Sequence, residues 1–450
     1  MIGSLKNQTE QDRDAAIVGA GISGLLTAYV LDQKGYRVTL YEESNRAGGL
    51  ISSTHTEYGL VESAAHSFLV TDEVRAICQD LGVELSPVRP ESRARYIYRR
   101  GKMRKFPLSF YEALVAFVRA YAVLSREDIS RGSATLEQWG NRHLGKAAVR
   151  YLLSPFLTGV YAARPSEICV GAAFPALEIP RGHSLLSAQL RKLRLRLFGP
   201  KENQLKQSQR KQMMTPTNGM GSLISALEKR LEARLGDRFQ KGKKLESLPE
   251  AANVILAVPA HRAAALLASK DQKLSKALGE IQYAPLVTAT IFVPRKAFKT
   301  APQGVGVLIP ESEKRNCLGV LFNSSAFPGR VRDEQSWVSL TMMLGGTIYP
   351  EMVEKSETEL LALIRAELRA LFKVSDSDAQ SVKIHVRKWK QAIPCYNDKI
   401  LDAWNAARSG WCSTPGNLLV GNYTGQVSIR GMMQEAYALS PKLAARLHLQ

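Results

Sequence analysis

The sequence predicts an α/β chain of the α+β multidomain kind, organised around a doubly wound parallel sheet, and three observations carry that prediction. A short apolar run, AAIV at 15–18, is followed by a glycine-rich turn, a helical stretch from Ile22 to about Lys34 and a second strand-like run, RVTLY at 37–41. This is the strand–helix–strand opening of a parallel sheet. ANVILAVPA at 252–260 is near-continuously apolar and closed by proline, the pattern of a buried strand returning to the same sheet. Between 283 and 345 the β-rich runs LVTATIFV, GVGVLIP, LGVLF and WVSLTMML read as a second, mostly antiparallel sheet.

The other elements follow in order. Gly35 suits the C-cap of the first helix. Residues 89–105 hold eight basic side chains and one acid, and Pro107–Leu124 then reads as a largely apolar helix interrupted by Glu112 and Arg119. Residues 191–211 are a second basic stretch, the pattern of an exposed loop or helix end. Residues 355–372 place Leu360, Leu361, Ile364, Leu368 and Leu371 on one helical stripe. NLLVGNY at 417–423 is a last strand, and a terminal helix is expected from about Gly431.

At 450 residues the chain suits two or three domains, at roughly 100–200 residues each. Its 45% hydrophobic and 23% charged content excludes wholesale disorder and a fibrous protein. Lys plus Arg outnumber Asp plus Glu by 61 to 41, a net charge of +20. That excess suits an anionic partner or a merely basic surface; with no zinc-ligand spacing and no RNP-type motif, nucleic acid is not expected. Cys78, Cys169, Cys317, Cys395 and Cys412 are scattered without a CxxC pair, which suits free thiols in a reducing cytosol and no metal. The polar residues 1–14 lack a signal-type apolar core, and no run of 18 uncharged apolar residues occurs.

The chemistry begins at Gly19-Ala20-Gly21-Ile22-Ser23-Gly24. The first glycine allows the tight turn, the second lets backbone approach a pyrophosphate, and the third lets helix and strand pack closely. The helix N-terminus then offers N–H groups and the positive end of its dipole. Glu42 ends the second strand, placed to accept a ribose hydroxyl, and Arg46-Ala-Gly48-Gly49 follows it. The RxGG glycines permit close backbone approach, and the arginine offers charge to phosphate. This constellation points to a Rossmann-type site for FAD, with NAD as the alternative.

With these motifs in place, the chain resembles the protoporphyrinogen oxidase family of the FAD-dependent amine oxidase superfamily. The likeness is carried by YLLSPFLTGVYAARPSEI (151–168), GVGVLIPESE (304–313), LGVLFNSSAFPGR (318–330), MMLGG (342–346), WKQAIPCY (389–396) and GNYTGQVSIRGMM (421–433). The resemblance implies FAD contacts at Gly19 through Gly24, Glu42, Glu43, Arg46, Gly49 and Leu50. It implies an isoalloxazine passing near Ala64, Ala65, His66 and Ser67, a flavin-contacting triplet at Val427, Ser428 and Ile429, and an adenine contact at Leu245. It implies that Arg95 pairs with a tetrapyrrole propionate and that Gly306, Leu308 and Met343 line an apolar pocket. No side-chain base is required; His66 is the one titratable group placed near the flavin, either to move a proton or as a structural histidine.

The implied reaction is oxidation of protoporphyrinogen IX or coproporphyrinogen III in three two-electron rounds, hydride passing from a meso carbon to flavin N5, with oxygen the expected acceptor. The implied architecture is a Rossmann-type FAD-binding domain in three pieces (1–87, 186–270 and 391–450), a mixed-sheet substrate domain (271–390) and a small helical membrane-binding domain (88–185). Expected partners are the tetrapyrrole and an anionic membrane surface, a homodimer being left open. The expected location is the cytoplasm or the inner face of the cell membrane, with a buried role for helix 107–124 as the alternative. The chain departs from the family at Ala64-Ala65, Lys399-Ile400 and Met432–Ala436, and is short between Leu235 and Ala251. An amine oxidase or carotenoid-type desaturase, and a non-catalytic flavin or tetrapyrrole carrier, are the rival readings; Val420-Gly421-Asn422 stands where an amine oxidase usually has an AGE-type motif.

Overall fold

The computed structural model describes residues 13–125, 134–177, 179–198, 212–425 and 427–444. Residues 1–12 of the polar start and 199–211 of the second basic stretch lie outside the described residues.

Five parallel strands form the first sheet, in the order Phe239–Gln240, Arg37–Tyr41, Asp14–Val18, Asn253–Leu256, Asn417–Leu419. Ile17 lies between Leu40 and Ile255 in register, and all three are fully buried. The helix Ile22–Gln33 buries Leu25, Leu26, Val30 and Leu31. Its surface is apolar nearly all round because two further helices, Met220–Leu235 and Ile429–Ala444, pack against it. Gly35, at φ +77°, ends it. The terminal helix begins at Ile429, two residues before the expected Gly431. The strand pattern at 252–260 and the parallel register expected of it are both present.

The second sheet has seven strands, in the order Lys383–Pro394, Tyr283–Pro294, Trp337–Gly345, Gly319–Leu321, Gly306–Leu308, Arg95–Arg99, Lys102–Arg104. All neighbours are antiparallel except Gly306–Leu308 with Arg95–Arg99. One face packs on the helix Glu357–Phe372, where Leu360, Ile364 and Leu368 meet Val320, Leu340 and Met342. Residues 95–104 therefore belong to this sheet, although they fall inside the 88–185 stretch expected to be helical. The run RYIYR has a two-residue period: Tyr98 is buried in the sheet's core cluster with Tyr96 against it, and its basic residues, which dominate the composition, hid that alternation.

Phe110–Ala122 starts with a capping box between Ser109 and Glu112. Glu112 also binds Arg99 through Nη1 at 2.7 Å and Nη2 at 2.8 Å, a bidentate pair that ties the helix to the second sheet. No residue of this helix is buried, which rules out the alternative of a core helix. Among the described residues, no helix is long and apolar enough to cross a membrane.

Candidate flavin and substrate site

The glycine turn is a cradle with one open side. Gly19 has φ +101°, and a Cβ there would lie 2.6 Å from the Ala257 carbonyl oxygen. A Cβ on Gly24 would lie 1.8 Å from the Gly19 carbonyl oxygen, so helix and strand approach closely only because this position has no side chain. Gly21 differs: a Cβ on it would meet nothing within 4 Å. Gly21 is also the N-cap of the helix and makes no side-chain cap hydrogen bond. An uncapped helix N-terminus thus faces open space, the arrangement a pyrophosphate requires.

The loop after the second strand closes over this turn. Gly48 N–H donates to the Ala20 carbonyl at 2.7 Å, and Gly48 bridges Gly21. Glu42 Oε2 accepts from Ala20 N–H at 2.7 Å, and Oε1 accepts from the Ser44 N–H and hydroxyl. The carboxylate is therefore fixed beside the glycine turn with lone pairs left for a ribose hydroxyl. Arg46 is used differently from the sequence expectation of a phosphate ligand. Its guanidinium donates to the carbonyls of Ala47, Gly49 and Ile51 at 3.1, 2.6 and 3.0 Å, so it shapes the RxGG loop. Glu43 is exposed and pairs with Arg262 at 3.0 Å. Leu50 is exposed, and Leu245 packs on the cluster around the strand Asn253–Leu256.

Two further segments converge here. Ser428 Oγ accepts from Gly431 N–H at 3.1 Å and caps the terminal helix. Ser23 Oγ lies 2.9 Å from Met432 Sδ, which joins the starts of the first and last helices. Val427 is half-buried and Ile429 buried beside them. The loop 63–67 is fastened to the second sheet: the Ser63 carbonyl accepts from Trp389 Nε1 at 2.9 Å and Thr288 Oγ1 at 3.4 Å. Ala64, Ala65, His66 and Ser67 are all half-buried. His66 Nε2 is buried and makes no hydrogen bond among the described residues. Desolvation, aided by the nearby Arg330 charge, pushes its pKa down to about 3, so the imidazole is neutral across the physiological range. Open space over Gly21 and an orphaned ring nitrogen in the adjoining loop both fit a bound dinucleotide.

This depressed pKa has a measurable consequence. The unfolded chain binds a proton on His66 near pH 6.5 and the folded chain does not until about pH 3, so stability is lost as pH falls through that window. His66→Gln is expected to flatten the stability–pH slope between pH 6 and 4, by at most ~1.4 kcal/mol per pH unit. Urea midpoints at several pH values check this; an unchanged slope contradicts it.

The second sheet carries the remaining candidates. Arg95 is paired with Gly306, Leu308 with Gly319, and Gly319 with Met343. Cross-strand partners and alternate residues share a face, so Arg95, Gly306, Leu308 and Met343 all project from the face opposite the helix-covered core. Leu308 and Met343 are half-buried, and Leu308 Cδ2 would be 2.7 Å from a Cβ on Gly159 of the helix Ser154–Tyr161. Arg95 is exposed and makes no ion pair among the described residues; its guanidinium approaches Met213 Sδ at 4.0 Å.

The sequence profile described as "Flavin containing amine oxidoreductase" matches residues 22–447. The chain belongs to this family. It is a flavin-dependent oxidoreductase with FAD as its cofactor. Its relatives include the chloroplastic protoporphyrinogen oxidase of Nicotiana tabacum, 27% identical over 96% of this chain and 86% of the relative. The chloroplastic protoporphyrinogen oxidase 1 of Arabidopsis thaliana is 27% identical over 94% and 86%. A crystal structure from Exiguobacterium sp. 255-15, provisionally named a protoporphyrinogen oxidase, superposes with a TM-score of 0.72 at 17% identity, covering 96% of this chain and 99% of its own. It supports the fold.

The sequence reading missed Glu62 and Arg330. Their carboxylate and guanidinium meet at 3.2 Å and are almost wholly buried. Burial pushes the Glu62 carboxyl up, against hydrogen bonds from Ser53 and Met220 and the charge of Arg330. Arg330 sits beside Arg332, Asp333 and Glu334 and so reads as a surface charge, and the 268-residue separation left nothing to pair it with Glu62.

Proposed function

We propose that this oxidoreductase oxidises a porphyrinogen, protoporphyrinogen IX or coproporphyrinogen III, to the porphyrin. One observation carries the reading: an exposed arginine, Arg95, shares a sheet face with Gly306, Leu308 and Met343. A cation at one end of an apolar platform suits a flat macrocycle bearing carboxylates. Bound FAD supplies the hydride acceptor, and oxygen is the proposed final acceptor. Arg95 holds a propionate, and Leu308 and Met343 cover the ring and exclude water, while Gly306 keeps their strand close to its neighbour, since a Cβ there would lie 2.5 Å from the Val320 carbonyl oxygen. Neutral His66 serves as a hydrogen-bonding group beside the flavin ring; its low pKa argues against a cationic acid at neutral pH.

The exposed face of Phe110–Ala122 fits peripheral attachment to an anionic membrane. Phe110, Leu114, Phe117, Val118 and Tyr121 form one stripe, with Phe110 86% and Tyr121 67% exposed. Lys102, Arg104 and Lys105 are exposed just before it. We assign the chain to the cytoplasm or the inner face of the cell membrane on this basis. The proposed division of labour is a cofactor unit around the parallel sheet, a substrate unit around the seven-stranded sheet and a helical unit carrying the apolar stripe.

The decisive experiment is anaerobic mixing of the FAD-loaded protein with each porphyrinogen and with a panel of amines. Bleaching of the flavin absorbance by a porphyrinogen is expected; bleaching by amines alone, or by neither, overturns the assignment. Arg95→Ala is expected to raise KM for the carboxylated substrate at least ~10-fold, from loss of a charge-assisted pair of ~1.5–3 kcal/mol, with a smaller change in kcat. Steady-state kinetics check this, and an unchanged KM removes Arg95 from the substrate site.

A further inference from the structure

Glu62 and Arg330 have side chains only 2% and 3% exposed, and no other ion pair among the described residues is buried on both sides to this degree. Both groups make further hydrogen bonds. Glu62 also accepts from Met220 N–H at 2.9 Å and Ser53 Oγ at 2.5 Å. Arg330 Nη2 donates to Thr215 Oγ1 at 2.6 Å and to the Pro216 carbonyl at 3.2 Å. The segment bearing Arg330 joins two strands of the seven-stranded sheet and is itself laid along the cofactor unit. Leu60 N–H donates to the Arg330 carbonyl at 3.2 Å, and Arg332 N–H to the Tyr58 carbonyl at 3.0 Å. A Cβ on Gly59 would lie 2.3 Å from the Arg330 carbonyl oxygen, so this approach depends on glycine.

Stability alone does not account for such a pair, because apolar residues of similar volume serve a buried site as well or better. Its position supplies another reason. Glu62 immediately precedes the loop 63–67, whose His66 carries the unpartnered buried nitrogen and lies within the field of Arg330. Ser63 is held from the other side by Trp389 and Thr288. On the cofactor side, Ser63 Oγ donates to the Leu50 carbonyl of the RxGG loop at 2.6 Å, so the loop joins the buried pair to that turn.

We propose that Arg330 is a positioning residue that sets a fixed positive charge behind the His66 loop, with Glu62 as its counter-charge, and that the balance between them tunes the electron affinity of the bound flavin. The proposal rests on the reading above that residues 64–67 border the flavin ring. A positive charge in a poorly screened interior favours added negative charge on its neighbour, so Arg330 favours reduced flavin and Glu62 opposes it.

The test is a dye-referenced reductive titration of FAD-loaded protein without oxygen, comparing wild type with Glu62→Gln, Arg330→Met, Arg330→Lys and the double variant Glu62→Gln/Arg330→Met. Glu62→Gln is expected to raise the reduced-to-oxidised ratio at fixed potential about tenfold, ~30 mV for a two-electron couple, and Arg330→Met to lower it by a similar factor. The double variant, neutral and of similar volume, is expected within about threefold of wild type, with Arg330→Lys retaining most of the wild-type value. If Arg330→Met fails to fold, Glu62→Gln decides alone: no upward shift overturns the proposal. Shifts of the same sign in both single variants, or none, mean a structural clamp and also overturn it. The titration uses no porphyrinogen, so this outcome is independent of the substrate assignment, which fails instead if wild-type flavin is never reduced by a porphyrinogen.

Discussion

Gly21→Leu is expected to give a folded protein that has lost FAD, with affinity reduced at least ~100-fold, or ~3 kcal/mol. The backbone at Gly21 has φ −66°, a value leucine adopts without strain, and no atom stands within 4 Å of the position its Cβ would take. The side chain therefore fills the space over the helix N-terminus and leaves the fold alone. Gly24→Val is the contrasting case, since its Cβ would fall 1.8 Å from the Gly19 carbonyl oxygen; helix and strand must separate, and soluble folded protein is not expected. Fluorescence titration with FAD and thermal unfolding of the apoprotein check both variants. Retention of FAD by Gly21→Leu would show that the cofactor does not cross this turn.

Replacing Phe110, Phe117 and Tyr121 together by aspartate is expected to abolish binding to anionic vesicles while thermal stability stays nearly constant. All three are exposed on one stripe, by 86%, 60% and 67%, so the change removes no core contact. Each aromatic side chain transferred into the headgroup–acyl boundary is worth ~1.5–3 kcal/mol if fully buried, and the new acids are repelled by the lipid. A loss of at least ~100-fold in vesicle partitioning follows from even a fraction of that sum. Vesicle sedimentation checks it. Undiminished sedimentation would assign the stripe to something other than a lipid surface, and a large fall in melting temperature would mean that the stripe packs against protein.

Parts of the molecule with local causes were legible in the sequence. The strand–turn–helix at 15–34 and the apolar strand at 253–256 depend on short-range periodicity and on glycine sterics, and the structure has them. Arg95 and Gly306 were each given a substrate role by resemblance but assigned to different domains, because the parallel pairing that brings them together joins segments more than 200 residues apart. No local pattern encodes such a pairing. The use of Arg46 illustrates the same limit in miniature. Its residue type suited a phosphate, but the tight RxGG turn places three carbonyls within reach of the guanidinium, and those bonds form within the loop itself. Glu62 and Arg330 were invisible for the opposite reason, since a buried charge reads as a surface one until its partner is known.

The order of strands in the parallel sheet bears on how the chain is made. Asp14–Val18 precedes the other strands of this sheet in the chain yet sits at the centre, flanked on one side by Arg37–Tyr41 and on the other by Asn253–Leu256, with Asn417–Leu419 beyond. During translation one of its hydrogen-bonding edges stays unpaired until Asn253–Leu256 emerges, more than 200 residues after Arg37–Tyr41, and Asn417–Leu419 follows later still. Such delayed closure exposes an apolar, pairing-competent strand for many seconds at ordinary ribosome speeds of ~5–20 residues per second. Deletions that remove Asn417–Leu419 leave the outer edge of Asn253–Leu256 without its parallel partner.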